Sequence, residues 1–382
     1  MKRFLFLSLL VGLTITASGQ KSRVLAVFQM IDQGKYSEAK EAIELAVWND
    51  KTSRWARTYY AKGVLCQTAY EDGYEEQNTK KTGLYPDQLY VAYKSYERAR
   101  ELDVRERLST GISQKYYHLS NHFRRLGEDH FEKKEYEEAL RAFEHALLVN
   151  QSDLINAEVD TNLVYNTALS AYESENWGKA IGYLTGLHDD AHAPGTSLLL
   201  YQALMETGDT VSAEEVLMDG AELYNYDNKV VVYLINLFVS LGRMELAIEI
   251  LEDAIETRPG DHQFLWGRGL IYRRMGKFEE AIESFKAALE IAPEESRIYY
   301  HIGVIYYNMG IDLREVSLKI TDNDEYQEVK EQSREQFLIA VQWLEQAYEL
   351  DPFDEKTIST LSQLYYQLQM KEKEESMKLL ID

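Results

Sequence analysis

The sequence predicts an all-α protein made of stacked helix pairs, and three observations carry that expectation. The first is a recurrence. In "GKFEEAIESFKAALEIAPEE", from Gly276 to Glu295, Phe278, Ala281, Phe285, Ala288 and Pro293 are separated by 3, 4, 3 and 5 residues, and Met244, Ala247, Leu251, Ala254 and Pro259 show the same intervals 34 residues earlier. The second is the period itself: steps of three and four put the first four positions of each set on one helical face, which the proline ends. The third is composition. With 5 prolines in 382 residues and Glu, Leu, Ala, Tyr and Lys dominant, strong helix formers fill most positions. A hydrophobic share of 45% supplies material for one extended or two compact units, and a single cysteine excludes an intramolecular disulfide, so packed apolar surface must hold the chain together.

The chain opens "MKRFLFLSLLVGLTITASGQ", with Lys2 and Arg3 ahead of an apolar run from Phe4 to Ile15 and then the small residues Ala17, Ser18 and Gly19. This is the pattern of a signal peptide over 1–19, whose removal leaves Gln20 first. The apolar run is too short for a helix to cross a bilayer core of about 30 Å, and no later run reaches the roughly 18 apolar residues that spanning needs, so no stable membrane insertion is expected. The only cysteine, Cys66, lies far from the cleavage point, which argues against a lipoprotein anchor. Export to the periplasm is the expected address, with secretion beyond it as the lesser alternative. The formal charge of -23 becomes -25 once Lys2 and Arg3 leave with the leader. Such a surface repels phosphate backbones, so nucleic acid is not an expected partner.

After the leader, the recurring positions resemble those of the tetratricopeptide repeat (TPR) family, exported bacterial type, over nearly all of the mature chain. The second-helix alanine of that family appears as Ala39, Ala92, Ala139, Ala180, Ala213, Ala247, Ala281 and Ala340. The first-helix small residue appears as Gly63, Gly127, Ala168, Gly269 and Gly303, with an aromatic three further on at Tyr272 and Tyr306. Phe143, Leu184, Leu251, Phe285 and Leu344 fill the space beside the alanines. The resemblance implies a right-handed α-solenoid of about eight TPR-like helix pairs plus a C-terminal capping helix. Its expected divisions are N-terminal repeats with insertions over 20–194, regular repeats over 195–354, and capping helices over 355–382. Successive alanines are spaced 53, 47, 41, 33, 34, 34 and 59, which locates the extra residues at the two ends. The polar, turn-rich stretch from Asp72 to Gln88 reads as a loop. The stretch from Met309 to Gln336 keeps helical periodicity on both sides of "TDND" and reads as a protruding helical hairpin inserted at 309–336.

Function enters through the same resemblance, which implies a concave groove lined by first helices that holds a protein or peptide partner. In family phase the groove positions include Tyr60, Tyr165, Asn236, Trp266, Arg273, Arg297, Tyr300, His301, Tyr307 and Tyr366. The doublets Tyr59-Tyr60, Tyr299-Tyr300, Tyr306-Tyr307 and Tyr365-Tyr366 can each direct one ring between helices and one into the groove, because neighbours on a helix point about 100° apart. Alternatively both rings fill interhelical space. Some family members hold a C-terminal carboxylate with five polar residues. Here Asn236 and Arg297 fit that pattern, His301 stands where arginine is usual, and Val232 and Gly267 replace the remaining two.

Residue patterns for chemistry are sparse. The chain has no Walker loop, no His-Glu-x-x-His and no Gly-x-Ser-x-Gly. His118 and His122 stand four apart on a predicted helix, and His188 and His192 flank "DDA" in a predicted loop; these are the weak candidates for metal ligands, with no metal or other cofactor expected. The leading expectation is a non-catalytic adaptor or scaffold for a protein or peptide partner in the cell envelope. A solenoid that takes a small molecule or glycan on groove aromatics is the alternative, and a metal-dependent enzyme comes third.

Overall fold

The computed structural model describes residues 19–380, so the leader pattern, Gly19 apart, lies outside the described residues. Every regular element among the described residues is a helix. The chain divides into two compact units, the first ending at His192 and the second beginning at Ala193. In the first unit α1 (Gly19–Asp32) pairs with α2 (Tyr36–Trp48), and α3 (Ala56–Glu75) pairs with α5 (Gln88–Leu102) across the four-residue α4 (Thr79–Thr82). Two further pairs follow: α6 (Ser109–Glu132) with α7 (Tyr136–Asn150), and α8 (Thr161–Glu173) with α9 (Trp177–Asp189). The second unit holds α10 (Pro194–Thr207) with α11 (Thr210–Leu223), α12 (Asn228–Ser240) with α13 (Met244–Thr257), and α14 (His262–Arg274) with α15 (Phe278–Ile291). It ends with α16 (Ser296–Ser317) against α17 (Asn323–Leu350), capped by α18 (Glu355–Gln367) and α19 (Lys371–Lys378).

The periodic alanines mark where these helices come closest. Ala39, Ala92, Ala139, Ala180, Ala213, Ala247, Ala281 and Ala340 are all fully buried. One turn further along each second helix a bulky side chain points at the partner helix, and where that partner offers glycine it fills the notch. A Cβ at Gly63 would lie 2.5 Å from the Tyr96 ring, at Gly127 and Gly269 2.6 Å from the rings of Phe143 and Phe285, and at Gly303 2.6 Å from Leu344. These side chains have little room to move, since Tyr96, Phe143, Phe285 and Leu344 are themselves buried. In the second unit the cores run in series along the chain, each built from neighbouring pairs, as expected of stacked repeats.

Local chemistry sets the helix ends. Asp160, Asp209, Asp227, Asp261 and Asp354 each accept a hydrogen bond from a backbone N–H in the first turn of the helix that follows. In six pairs the turn reverses through one left-handed residue. Gly276 takes φ +76°, so its N–H and that of Lys277 bond back to the carbonyls of Arg273 and Tyr272. Lys134 and Glu175 hold the same turn without glycine.

The first insertion differs from the simplest reading of the sequence. The stretch from Asp72 to Gln88 is not one continuous loop. α3 continues to Glu75, α4 follows, and the remainder packs back on α2 and α3: the Tyr85 hydroxyl donates to Glu44 of α2 at 2.8 Å, Lys40 of α2 to the Leu84 carbonyl at 2.6 Å, and the buried Gln88 amide to the Cys66 carbonyl of α3 at 2.9 Å. Nearby, Cys66 is buried, which pushes its thiol up to about 12 and leaves it protonated. The residues 309–336 lengthen the two helices of their own pair. Within that extension a Cβ on Gly310 would lie 2.6 Å from the Phe337 ring, and Ser333 donates to the Gly310 carbonyl at 2.7 Å.

Two alanine substitutions in the first unit separate notch from propensity. Gly127→Ala forces the Phe143 ring to move and is expected to cost about 1–3 kcal/mol. Gly182→Ala, in the exposed interior of α9 with nothing within 4 Å of the added Cβ, is expected to stabilise by about 0.5–1 kcal/mol. Urea unfolding of the two variants checks the opposite signs; equal effects would remove the notch from the account.

Candidate functional site

In the second unit, three successive first helices, α14, α16 and α18, bring together one indole and several cations. α14 carries Arg268, Arg273 and Arg274 with no acidic residue between His262 and Arg274. The Arg297 guanidinium of α16 lies 5.1 Å from the centre of the Trp266 ring, within cation–π range, and Trp266 lies 6.3 Å from His301. His301 stacks on Phe285 with ring centres 5.7 Å apart and planes 13° off parallel. Phe285 thus holds two places, filling the Gly269 notch and supporting the imidazole.

The electrostatics follow from this packing. Arg273 donates to His301 Nδ1 at 3.1 Å, which fixes Nδ1 as the acceptor and puts the imidazole proton on Nε2. Burial, and then the positive charges of Arg273, Lys356 and Arg297, push the imidazole down to about 4. It is neutral at ordinary pH. Arg297 is held by Glu295 at 2.7 Å, a bond that keeps the carboxylate low and the guanidinium high. Arg273 has no carboxylate partner among the described residues. The Trp266 Nε1–H is buried and has no acceptor among the described residues. A buried donor of this kind costs about 1–3 kcal/mol when unpaired, so it favours any ligand that brings an acceptor.

The other sequence-predicted groove residues divide. Tyr300 and Tyr307 are half-buried against the core shared with α18, and the Tyr307 hydroxyl donates to Gln363 at 3.4 Å. Asn236 stands exposed on α12. Of the last doublet, Tyr365 is buried with its hydroxyl on Glu345 at 2.7 Å, and Tyr366 is 65% exposed. Tyr60 and Tyr165 belong to the first unit. Tyr60 packs between the rings of Phe28 and Tyr96, each 6.0 Å away, with its hydroxyl filling the space beside Gly111. Tyr165 stands 5.6 Å from the His192 ring. Lys356, absent from the sequence-based set, completes the cationic face from α18.

The histidine pairs do not converge. His122 is bonded to Glu71 at 2.9 Å while His118 is exposed against Tyr117. His188 is buried near the end of α9, so it is helical and not in a loop, while His192 lies beyond that helix. Among the described residues no group of three His, Cys, Asp or Glu side chains is arranged to hold a metal ion. No helix among them is long and apolar enough to cross a membrane.

Residues 236–261 match the family described as tetratricopeptide repeat, and residues 269–310 match the family described as TPR repeat. The second unit therefore carries repeats of this kind. Among solved structures, the C-terminal part of a TPR repeat-containing protein from Cytophaga hutchinsonii is 17% identical, covers 67% of this chain and 93% of its own, and gives a TM-score of 0.46. A TPR repeats protein from Bacteroides fragilis is 16% identical, covering 69% of this chain and 99% of its own with a TM-score of 0.35. The MamA protein is 21% identical over 50% of this chain and 92% of its own, at a TM-score of 0.34. No curated protein matches the sequence significantly.

The neutral state of His301 has a testable consequence for stability. Its folded pKa of about 4 lies below the roughly 6.5 of an unfolded histidine, so between those values the unfolded chain binds more protons. Stability contributed by the neutral ring is present above pH 6.5 and lost as pH falls towards 4. Urea midpoints of the wild type and His301→Gln, measured from pH 7 to 4, are expected to approach one another through that window; a constant difference would show that His301 titrates normally.

Proposed function

We propose that this chain, built on tetratricopeptide repeats, is a non-catalytic adaptor or scaffold that holds an extended segment of a protein partner against α14, α16 and α18. The observation that carries the reading is the buried Trp266 N–H without an acceptor, set among Arg273, Arg297 and Lys356 in an otherwise acidic chain. A partner backbone carbonyl or carboxylate satisfies the indole, and an acidic stretch meets the guanidinium groups. The neutral His301 adds no charge and keeps Arg273 in place. Tyr300 and the exposed Tyr366 extend the aromatic surface, tyrosine and tryptophan being suited to anchoring at interfaces. The leader pattern over 1–19 supports a partner in the cell envelope and a periplasmic address.

A pull-down from envelope extract with the chain beginning at Gln20 tests the reading. A stoichiometric protein partner is expected, and capture of glycan or small molecule without protein would move the function to the alternative class. Trp266→Ala is expected to weaken the captured partner by about 2 kcal/mol or more, as at an interface hot spot. Circular dichroism melts decide whether that loss belongs to binding. A stability loss of about 3–5 kcal/mol, the cost of truncating a core aromatic, would make Trp266 a packing residue and overturn its role as an anchor.

A further inference from the structure

The first unit contains a cavity whose chemistry is the reverse of that face. It measures about 220 Å³ and is lined by Glu128, Phe131 and Glu132 of α6, Phe143 of α7, and Asn166 and Leu169 of α8. Phe131, Phe143 and Leu169 give it an apolar wall, with Phe143 itself anchored in the Gly127 notch. Glu128 and Glu132 are four apart, hence on one face of α6, and both are exposed. Neither carboxylate forms an ion pair or hydrogen bond among the described residues. Of the two cations one turn before Glu128, Arg124 is already bound to Asp160 and Arg125 lies over the Tyr74 ring, 4.8 Å from its centre.

We propose that this cavity docks a single basic side chain, lysine or arginine, of a partner polypeptide. Its volume is below the roughly 300–1,000 Å³ of sites that enclose a drug-sized ligand, which suits one side chain better than a cofactor. The methylene stem of a lysine packs on Phe131 and Leu169 while its ammonium group reaches the rim, where two carboxylates and the Asn166 amide oxygen accept its three donors. An acidic side chain meets two like charges there. An apolar one leaves both carboxylates without a counter-charge, so the arrangement selects by repulsion as well as attraction. The site does not rest on the Trp266 face and accepts the opposite charge, so the two discriminate different segments of a partner.

The test uses the chain from Gln20 with methyl-labelled leucine and the peptide Ac-Gly-Leu-Lys-Leu-Gly-NH2, beside versions with norleucine or glutamate in place of lysine. Saturable shifts of the Leu169 methyl signals are expected with the lysine peptide and not with the other two. Glu128→Gln together with Glu132→Gln is expected to weaken binding about tenfold, the low end of a charge-assisted hydrogen bond. Glu137→Gln with Glu138→Gln removes the same charge from the exposed start of α7 and is expected to leave binding unchanged. Equal weakening by both double variants would reduce the effect to the general field of an acidic protein, and equal binding of the norleucine peptide would make the cavity merely apolar. Either result, or an unmoved Leu169, overturns the proposal. Trp266→Ala should leave the lysine titration intact, so failure here and failure of the adaptor reading are separable.

Discussion

The structure depends on a close approach between two helices at a point where one presents almost no side chain. Gly127, Gly269 and Gly303 accept Phe143, Phe285 and Leu344, and the fully buried alanine one turn earlier lets the backbones stay close on either side of that contact. Glycine inside a helix costs roughly 0.5–1 kcal/mol relative to alanine through backbone entropy. Burying a phenylalanine or leucine returns about 1.5–3 kcal/mol, so the notch is a net gain wherever the knob fills it. The balance is decided within each pair, which is why the same solution can be repeated along the chain.

Local closure also explains where the chain tolerates irregularity. Extra residues between Ala281 and Ala340 lengthen α16 and α17 without breaking their contact, because the added turns carry a notch of their own in Gly310 and Phe337. The residues between Asp72 and Gln88 follow a different route. They return to α2 through Tyr85 and Leu84 and to α3 through Gln88, so polar groups that would otherwise need water are satisfied inside the first unit.

Packing and function meet at Phe285. Its ring fills the Gly269 notch, and the other side of that contact supports His301, which burial and neighbouring cations keep neutral. A neutral imidazole can accept from Arg273, whereas an imidazolium would repel it. The cationic face is therefore held in shape by an uncharged group at its centre. Across the other unit, Glu128 and Glu132 achieve the opposite field with no buried charge, since both carboxylates remain in water at the rim of an apolar cavity.

Helical class, the phase of the eight alanines and the identity of the knobs were legible in the sequence, because spacing along a helix dictates which residues share a face. Arg273, Arg297 and Trp266 were placed on first helices only by the phase of the family resemblance. What the spacing did not contain was the partner of each side chain. Adjacent tyrosines are equivalent by periodicity, yet Tyr365 is buried against Glu345 while Tyr366 faces outwards, and Tyr60 is enclosed by Phe28 and Tyr96. Lys356 joins His301 from 55 positions away in the chain, and Asn166 joins Glu128 across a whole helix pair. A helix period decides direction within one element; which groups then meet, and whether they are dry, is decided only when neighbouring helices close on one another and exclude water.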